Sequence, residues 1–257
     1  MEALTSTSTQ YNNPDIFDVS LMPHQLATVE AMKKWENNPS FELTLENFDT
    51  CYENPNIIVK NSLGILSDSV GSGKTHAMVT LASCISPPDY VHNYRIRTVF
   101  SSDNSKRFKC ITKQITHNNS TLILVPHGLY HMWNDVIGSI TTDISYYSIS
   151  TTKALQNFKP DDSHKIVLVT NTFWKSFIEI YGFIQWGRWI VDEIDTINLP
   201  NNPVVNANFT WFITATPHSL GLYWRGHKRW HHPVRNLGYV NNVLTNLLGK
   251  LSWYKDS

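Results

Sequence analysis

The sequence predicts an α/β domain with a mostly parallel central sheet flanked by helices. Short apolar runs recur along the chain, stretches able to form helices lie between them, and polar or turn-forming residues follow each run. Continuous apolar runs this short suit strands buried on both faces, as in a parallel sheet. Their alternation with helices argues for right-handed crossover connections. An apolar fraction of 41% against 16% charged residues is that of a folded protein with a substantial core.

In chain order, residues 1–20 are polar and Ser/Thr-rich and are expected to be loose. A helix is expected after Pro23, with Leu26, Val29, Met32 and Trp35 on one face. Residues 36–56, rich in Asn, Pro and acids, read as loop with short structure. The apolar runs Leu63–Leu66, Leu122–Val125, Ile166–Val169, Trp189–Val191 and Trp211–Ile213 are the expected strands. The helices expected between them are Thr75–Ile85, with Met78, Leu81, Ala82 and Ile85 on one face, then Leu129–Ile137 and Thr172–Ile180. Residues 86–120 form a long connection holding Pro87-Pro88, an insertion into the alternating pattern.

Charge and cysteine content narrow the function classes. Lys plus Arg equals Asp plus Glu at 21 each, so net charge predicts no partner. The distribution is uneven: residues 1–60 carry mostly acids, Arg97, Lys106, Arg107 and Lys109 form a basic stretch, and Arg225, Lys228, Arg229 and Arg235 make the tail basic. Local basic patches can meet phosphates. The basic connection near 95–113 reads as a solvated loop, with a DNA clamp as the alternative. Tyr223, Trp224, Arg225, Lys228, Arg229 and Trp230 read as a packed helix and linker, or as a surface that stacks on bases. Cys51, Cys84 and Cys110 are scattered, which indicates neither a disulfide framework nor a zinc site. His227, His231 and His232 lack a cysteine or carboxylate to complete a metal set. No apolar run approaches the roughly 20 residues that span a bilayer. The expectation is a soluble intracellular protein of nucleus or cytoplasm. The high Asn content adds a viral replication compartment as a guess.

The chemistry collects after the strands, along the edge where open α/β sheets bind ligands. The first strand leads into Asp68-Ser-Val-Gly-Ser-Gly-Lys-Thr75. Glycines such as Gly71 and Gly73, with Ser72 between them, let backbone N–H groups turn toward phosphate oxygens. The helix that follows points its positive end at the same anion. Lys74 would reach the β- and γ-phosphates and Thr75 would offer its hydroxyl to Mg²⁺. The cofactors implied are therefore ATP and Mg²⁺. Asp68 stands where the plain form of this loop has glycine. Asp192 and Glu193 follow the buried run Trp189-Ile190-Val191. A carboxylate at a buried strand end needs a cation or hydrogen bonds. Asp192 would hold Mg²⁺, and Glu193 would orient or deprotonate the attacking water. Asp195 is in reach of a hydrogen bond toward the Thr214–Thr216 loop.

The order of these elements resembles the Swi/Snf-type superfamily two ATPases. Leu21-Met-Pro-His-Gln25 resembles their opening LxPxQ element. Ile65–Thr75 resembles their phosphate loop, in which Asp commonly occupies the place of Asp68. Thr121-Leu-Ile-Leu-Val-Pro-His-Gly-Leu129, followed by Trp133, resembles motif Ia, and Lys165–Thr172 the next strand motif. Asp192-Glu-Ile-Asp195 matches the DExx box, and Thr214-Ala-Thr-Pro217 is similar to motif III.

The resemblance covers about residues 21–217. It implies a first RecA-like, P-loop NTPase domain over 21–220 and a tail over 221–257. It implies that Gln25 reads the adenine edge, that Asp195, Thr214 and Thr216 couple hydrolysis to movement, and that Pro126, His127 and Gly128 with Asn171 and Thr172 face the nucleic-acid backbone. Short hydroxyl and backbone N–H donors suit phosphate contacts without sequence information. Ser67 and Ser69 depart from the usual loop residues, and Asp195 stands where the family often has His.

Family members carry two RecA-like domains, and the second supplies an arginine finger. Only residues 218–257 follow the last motif, fewer than the ~100–150 of a typical domain. Two readings follow. One is a nucleic-acid-dependent ATPase of the helicase or remodeller kind, acting on DNA sooner than RNA, with a separate polypeptide supplying the second domain as a further version. The other is a remnant or subunit that binds ATP and nucleic acid without hydrolysis.

Overall fold

The computed structural model describes residues 4–5, 7–44, 56–89, 96–100, 106–110, 116–197, 199 and 205–216. Helix α1 (Pro23–Asn37) precedes a hairpin of β1 (Ser40–Thr44) and β2 (Asn56–Lys60). Strand β3 (Leu63–Ser67) leads into α2 (Lys74–Cys84), and β4 (Ile96–Phe100) pairs antiparallel with β5 (Lys106–Cys110). Then come β6 (His117–Val125), a 3-10 turn (His127–Leu129), α3 (Tyr130–Gly138), β7 (Tyr146–Ile149) and α4 (Thr152–Asn157). Strand β8 (Ile166–Thr170), α5 (Asn171–Tyr181), β9 (Gln185–Val191) and β10 (Asn206–Thr214) complete the order.

The main sheet has six strands in the order β3-β10-β9-β6-β8-β7, and every pairing in it is parallel. Parallel pairing forces each return connection over a face of the sheet, so both faces are covered. The period of two then divides the side chains. Leu122, Leu124, Val167, Val169, Val191 and Phe212 pack with Leu155 of α4 and with Trp174, Phe177 and Tyr181 of α5. Ile123, Val125, Ile166, Leu168, Ile190 and Ile213 pack on the opposite face with Val29 and Met32 of α1, Met78 and Leu81 of α2, and Trp133 and Ile137 of α3. Each such fully buried side chain contributes about 1.5–3 kcal/mol of transfer free energy.

The expected strands and helices are all present, and several run longer than their apolar runs. Strand β9 extends back to Gln185 because Gln185 and Arg188 are buried inside it, at 6% and 0% exposure. The 86–120 connection contains the β4–β5 hairpin, which carries Arg97, Lys106, Arg107 and Lys109. The expected looseness of residues 1–20 is corrected in part. Tyr11 N–H donates to the Leu26 carbonyl (3.0 Å), Ile16 is buried, and its carbonyl accepts from Thr141 N–H (2.8 Å). Phe17 bridges Ile140 and sets its ring edge on His76. Alternation was absent from this stretch, but single apolar anchors suffice to tie it across α1 and α2. The basic aromatic tail at 221–257, its histidines and Pro217 lie outside the described residues.

A buried ion pair joins the helices to the sheet. Arg188 of β9 donates Nε to Glu36 Oε1 and Nη2 to Glu36 Oε2, both at 2.6 Å. Trp211 Nε1 donates to the same Glu36 Oε1 (2.7 Å). Arg188 Nη1 also reaches Thr121 Oγ1 (3.1 Å) and the Leu81 and Ile85 carbonyls (3.5 Å each). One guanidinium thus anchors the C-terminal ends of α1 and α2. Gly64 makes room for this: a Cβ there would lie 2.2 Å from the Trp211 ring.

Candidate functional site

All six strands of the main sheet end on one edge, and the residues singled out for chemistry gather there. After β3 the chain turns through Asp68–Gly73 into α2. Gly71 (φ 81°) and Gly73 (φ 80°) take left-handed conformations that a side chain would strain. Lys74 Nζ spans the loop, donating to the carbonyls of Asp68 (2.7 Å) and Ser69 (2.9 Å). Half-burial pushes its ammonium below the usual lysine range, while Asp68, Asp192 and Glu193 pull it back up. The Ser72 hydroxyl is buried with no hydrogen-bond partner among the described residues.

Two side chains of α1 brace the loop. His24 Nε2 lies 2.9 Å from the Ser72 carbonyl. Gln25 Oε1 accepts from Met22 N–H (2.7 Å), and its Nε2 reaches the Gly73 carbonyl over a long 3.4 Å. A Cβ at Gly73 would fall 1.9 Å from that Nε2, so the glycine also admits Gln25. The sequence reading gave Gln25 an adenine-facing role and His24 none. Both support the loop itself, and because His24 and Ser72 are 48 residues apart no local sequence signal joined them.

Beyond β9 the acidic box begins. Asp192 is 5% exposed. Its Oδ2 accepts the Trp133 indole N–H (2.7 Å) and its Oδ1 accepts Glu193 N–H (3.0 Å). Burial raises its carboxyl above the usual range, against the two hydrogen bonds and Lys74, which lower it. Glu193 has φ 50°, a left-handed conformation uncommon for a side-chain-bearing residue. Burial, then Asp192 and Asp195, raise its carboxyl, and Lys74 opposes them. Strained backbone and a raised carboxyl side by side are the pattern of a functional position.

The bond foreseen from Asp195 is present. Its Oδ1 accepts the Thr214 hydroxyl (2.8 Å) and its Oδ2 the Thr216 hydroxyl, while Thr216 N–H donates to Thr214 Oγ1 (2.9 Å). The box is thereby locked to the end of β10. On the neighbouring strands, Asn171 Oδ1 accepts His127 N–H (3.0 Å), and Thr170 and Thr172 share a hydroxyl hydrogen bond (2.8 Å). Pro126, His127 and Gly128 therefore stand beside Asn171 and Thr172, with His127, Gly128 and Thr172 exposed.

These residues fit a magnesium nucleoside triphosphate. The loop offers left-handed glycines, an unpartnered hydroxyl, a lysine and a helix N-terminus. No group of three or more His, Cys, Asp or Glu among the described residues could hold a metal unaided. No helix among the described residues is long and apolar enough to cross a membrane.

The family described as "SNF2-related domain" matches residues 24–219. The protein named "Putative helicase R592" of Acanthamoeba polyphaga mimivirus is 23% identical over 79% of this chain and 32% of its own length. "DNA repair protein RAD5B" of Arabidopsis thaliana is 25% identical over 71% of this chain and 16% of its own. The chain thus spans under a third, and under a fifth, of these two relatives. Among solved structures, the SWI2/SNF2 ATPase core of Sulfolobus solfataricus in complex with dsDNA matches with a TM-score of 0.49 at 15% identity, covering 82% of this chain and 35% of the other.

Proposed function

The chain belongs to the SNF2-related family as a helicase-like ATPase domain, and from that membership we propose that it binds ATP with Mg²⁺ and hydrolyses it to move on DNA. The observation that carries the proposal is one edge gathering Lys74, Thr75, Asp192, Glu193 and the Asp195–Thr214–Thr216 lock. Gly71, Ser72, Gly73 and Lys74 would hold the phosphates. Thr75 and Asp192 would hold Mg²⁺, which when bound neutralises charge on the β- and γ-oxygens. Glu193 would orient the attacking water and accept its proton. Thr214 and Thr216, held by Asp195, would pass the state of the γ-phosphate on to the end of β10. Gln25 would read the adenine edge with the amide hydrogen and lone pair left over from its two bonds.

The exposed turn at His127–Gly128 and the start of α5 would meet the nucleic-acid backbone, since backbone N–H and hydroxyl donors serve phosphate contacts. DNA is the favoured substrate because a relative is named as a DNA repair protein. A nuclear, cytoplasmic or viral replication compartment is proposed on the same ground.

One observation favours a second reading. The chain spans under a third of the length of the relative named a putative helicase. In the family's two-domain arrangement an arginine finger would come from a second RecA-like domain, in this or another polypeptide. Without it, turnover is expected to fall by about 10³–10⁵-fold, leaving a nucleotide-binding half. The test is ATP hydrolysis with and without duplex DNA, with Lys74→Ala as the blank. Turnover above the blank, raised by DNA, is the expected result for the motor reading. Nucleotide binding without turnover supports the half-site. No nucleotide binding defeats both.

A further inference from the structure

The proposed magnesium carboxylate is held by a side chain of helix α3. A free aspartate carboxylate rotates easily, because the torsion that turns it is broad and twofold. Asp192 lacks that freedom. Glu193 N–H holds Oδ1 and the Trp133 indole N–H holds Oδ2, so both oxygens are pinned and the plane is set. The indole cannot drift. Trp133 is 0% exposed and packs on α3 against the β6 and β9 side chains Ile123, Val125 and Ile190. Helix α3 is in turn tied to β7, where Tyr130 Oη and Ser148 Oγ lie 2.6 Å apart. An indole nitrogen donates only, so it directs one lone pair of Oδ2 and leaves the rest of the carboxylate for a cation or its water.

We propose that Trp133 is a positioning residue for magnesium: its N–H orients the Asp192 carboxylate toward the metal of the bound nucleotide. The inference rests on the nucleotide reading above. Donors that hold a metal-binding carboxylate typically carry about 10–100-fold of metal affinity, although they never touch the metal.

The experiment uses the full chain and a fluorescent ATP analogue, titrated with Mg²⁺ and separately in EDTA. Wild type is expected to bind the analogue, Lys74→Ala to lose it. Trp133→Phe is expected to raise the Mg²⁺ half-saturation by about 10–100-fold and to leave affinity in EDTA unchanged. A purely structural role would weaken binding equally under both conditions, and that result overturns the inference. Trp133→Leu carries no side-chain donor either and serves as the second variant should the phenylalanine chain be misfolded. Combining Trp133→Phe with Asp192→Asn is expected to raise the half-saturation no further than Asp192→Asn alone, because the tryptophan acts through that carboxylate. A half-saturation within twofold of wild type in Trp133→Phe or Trp133→Leu overturns the inference and leaves the nucleotide reading standing. Failure of wild type to bind the analogue overturns both.

Discussion

Arg188→Leu is expected to destabilise the chain by about 3–5 kcal/mol, the loss typical of breaking one side of a buried ion pair. The Glu36 carboxylate would remain, almost fully buried, with the Trp211 indole as its main partner. The carbonyls of Leu81 and Ile85 and the Thr121 hydroxyl would each lose a donor. At about 2–4 °C per kcal/mol for a domain of this size, the melting temperature should fall by roughly 6–20 °C. Glu36→Leu should cost a similar amount for the mirror reason, an unpaired guanidinium. The double variant decides the physics. Desolvation opposes Coulomb attraction in a buried pair, so an apolar replacement of both partners is often near neutral. Denaturation of the double variant should therefore show a cost well below the sum of the singles. A simple sum would mean that the two side chains stabilise the fold independently, and the pair would lose its role as a joint between α1, α2 and β9.

How far the sequence could see follows from what each contact requires. The phosphate loop, its strand and its helix were legible because a glycine pattern, an apolar run and a helical period coincide within Leu63–Ile85. The Asp195 lock was legible because strand ends in a parallel sheet share one edge. The Glu36–Arg188 pair was not. Its members are 152 residues apart, and an arginine inside Gln185–Val191 interrupts the apolar run that betrays a strand. Strand β7 was missed because Tyr146-Tyr-Ser-Ile149 lies at the sheet edge and alternates weakly. Trp133 was visible as a motif residue, but its partner across the sheet was not, since nothing local to an indole names the carboxylate it will meet.

Glu193→Gln is expected to lower DNA-stimulated ATP turnover by about 10²–10⁴-fold, the usual contribution of a positioned general base, while leaving nucleotide binding intact. The same change should stabilise the metal-free chain. Burial and the neighbouring Asp192 and Asp195 raise the Glu193 carboxyl above its unfolded value, so its ionised form disfavours folding. That penalty is absent below the unfolded value near 4.3–4.5 and complete above the raised folded value. The melting temperature of Glu193→Gln should thus match wild type in acid, exceed it increasingly as pH rises above the unfolded value, and level off above the raised folded one. Partial exposure screens the effect to roughly 1–2 °C. Melting curves in EDTA between pH 4 and 8 measure it. A variant that gains stability with pH and loses turnover would identify Glu193 as a residue kept at a cost to the fold for the reaction it serves. Equal turnover in variant and wild type would move the proton acceptor elsewhere. A pH-independent difference in melting would mean that the charge on Glu193 takes no part in it, since glutamine keeps the same backbone conformation.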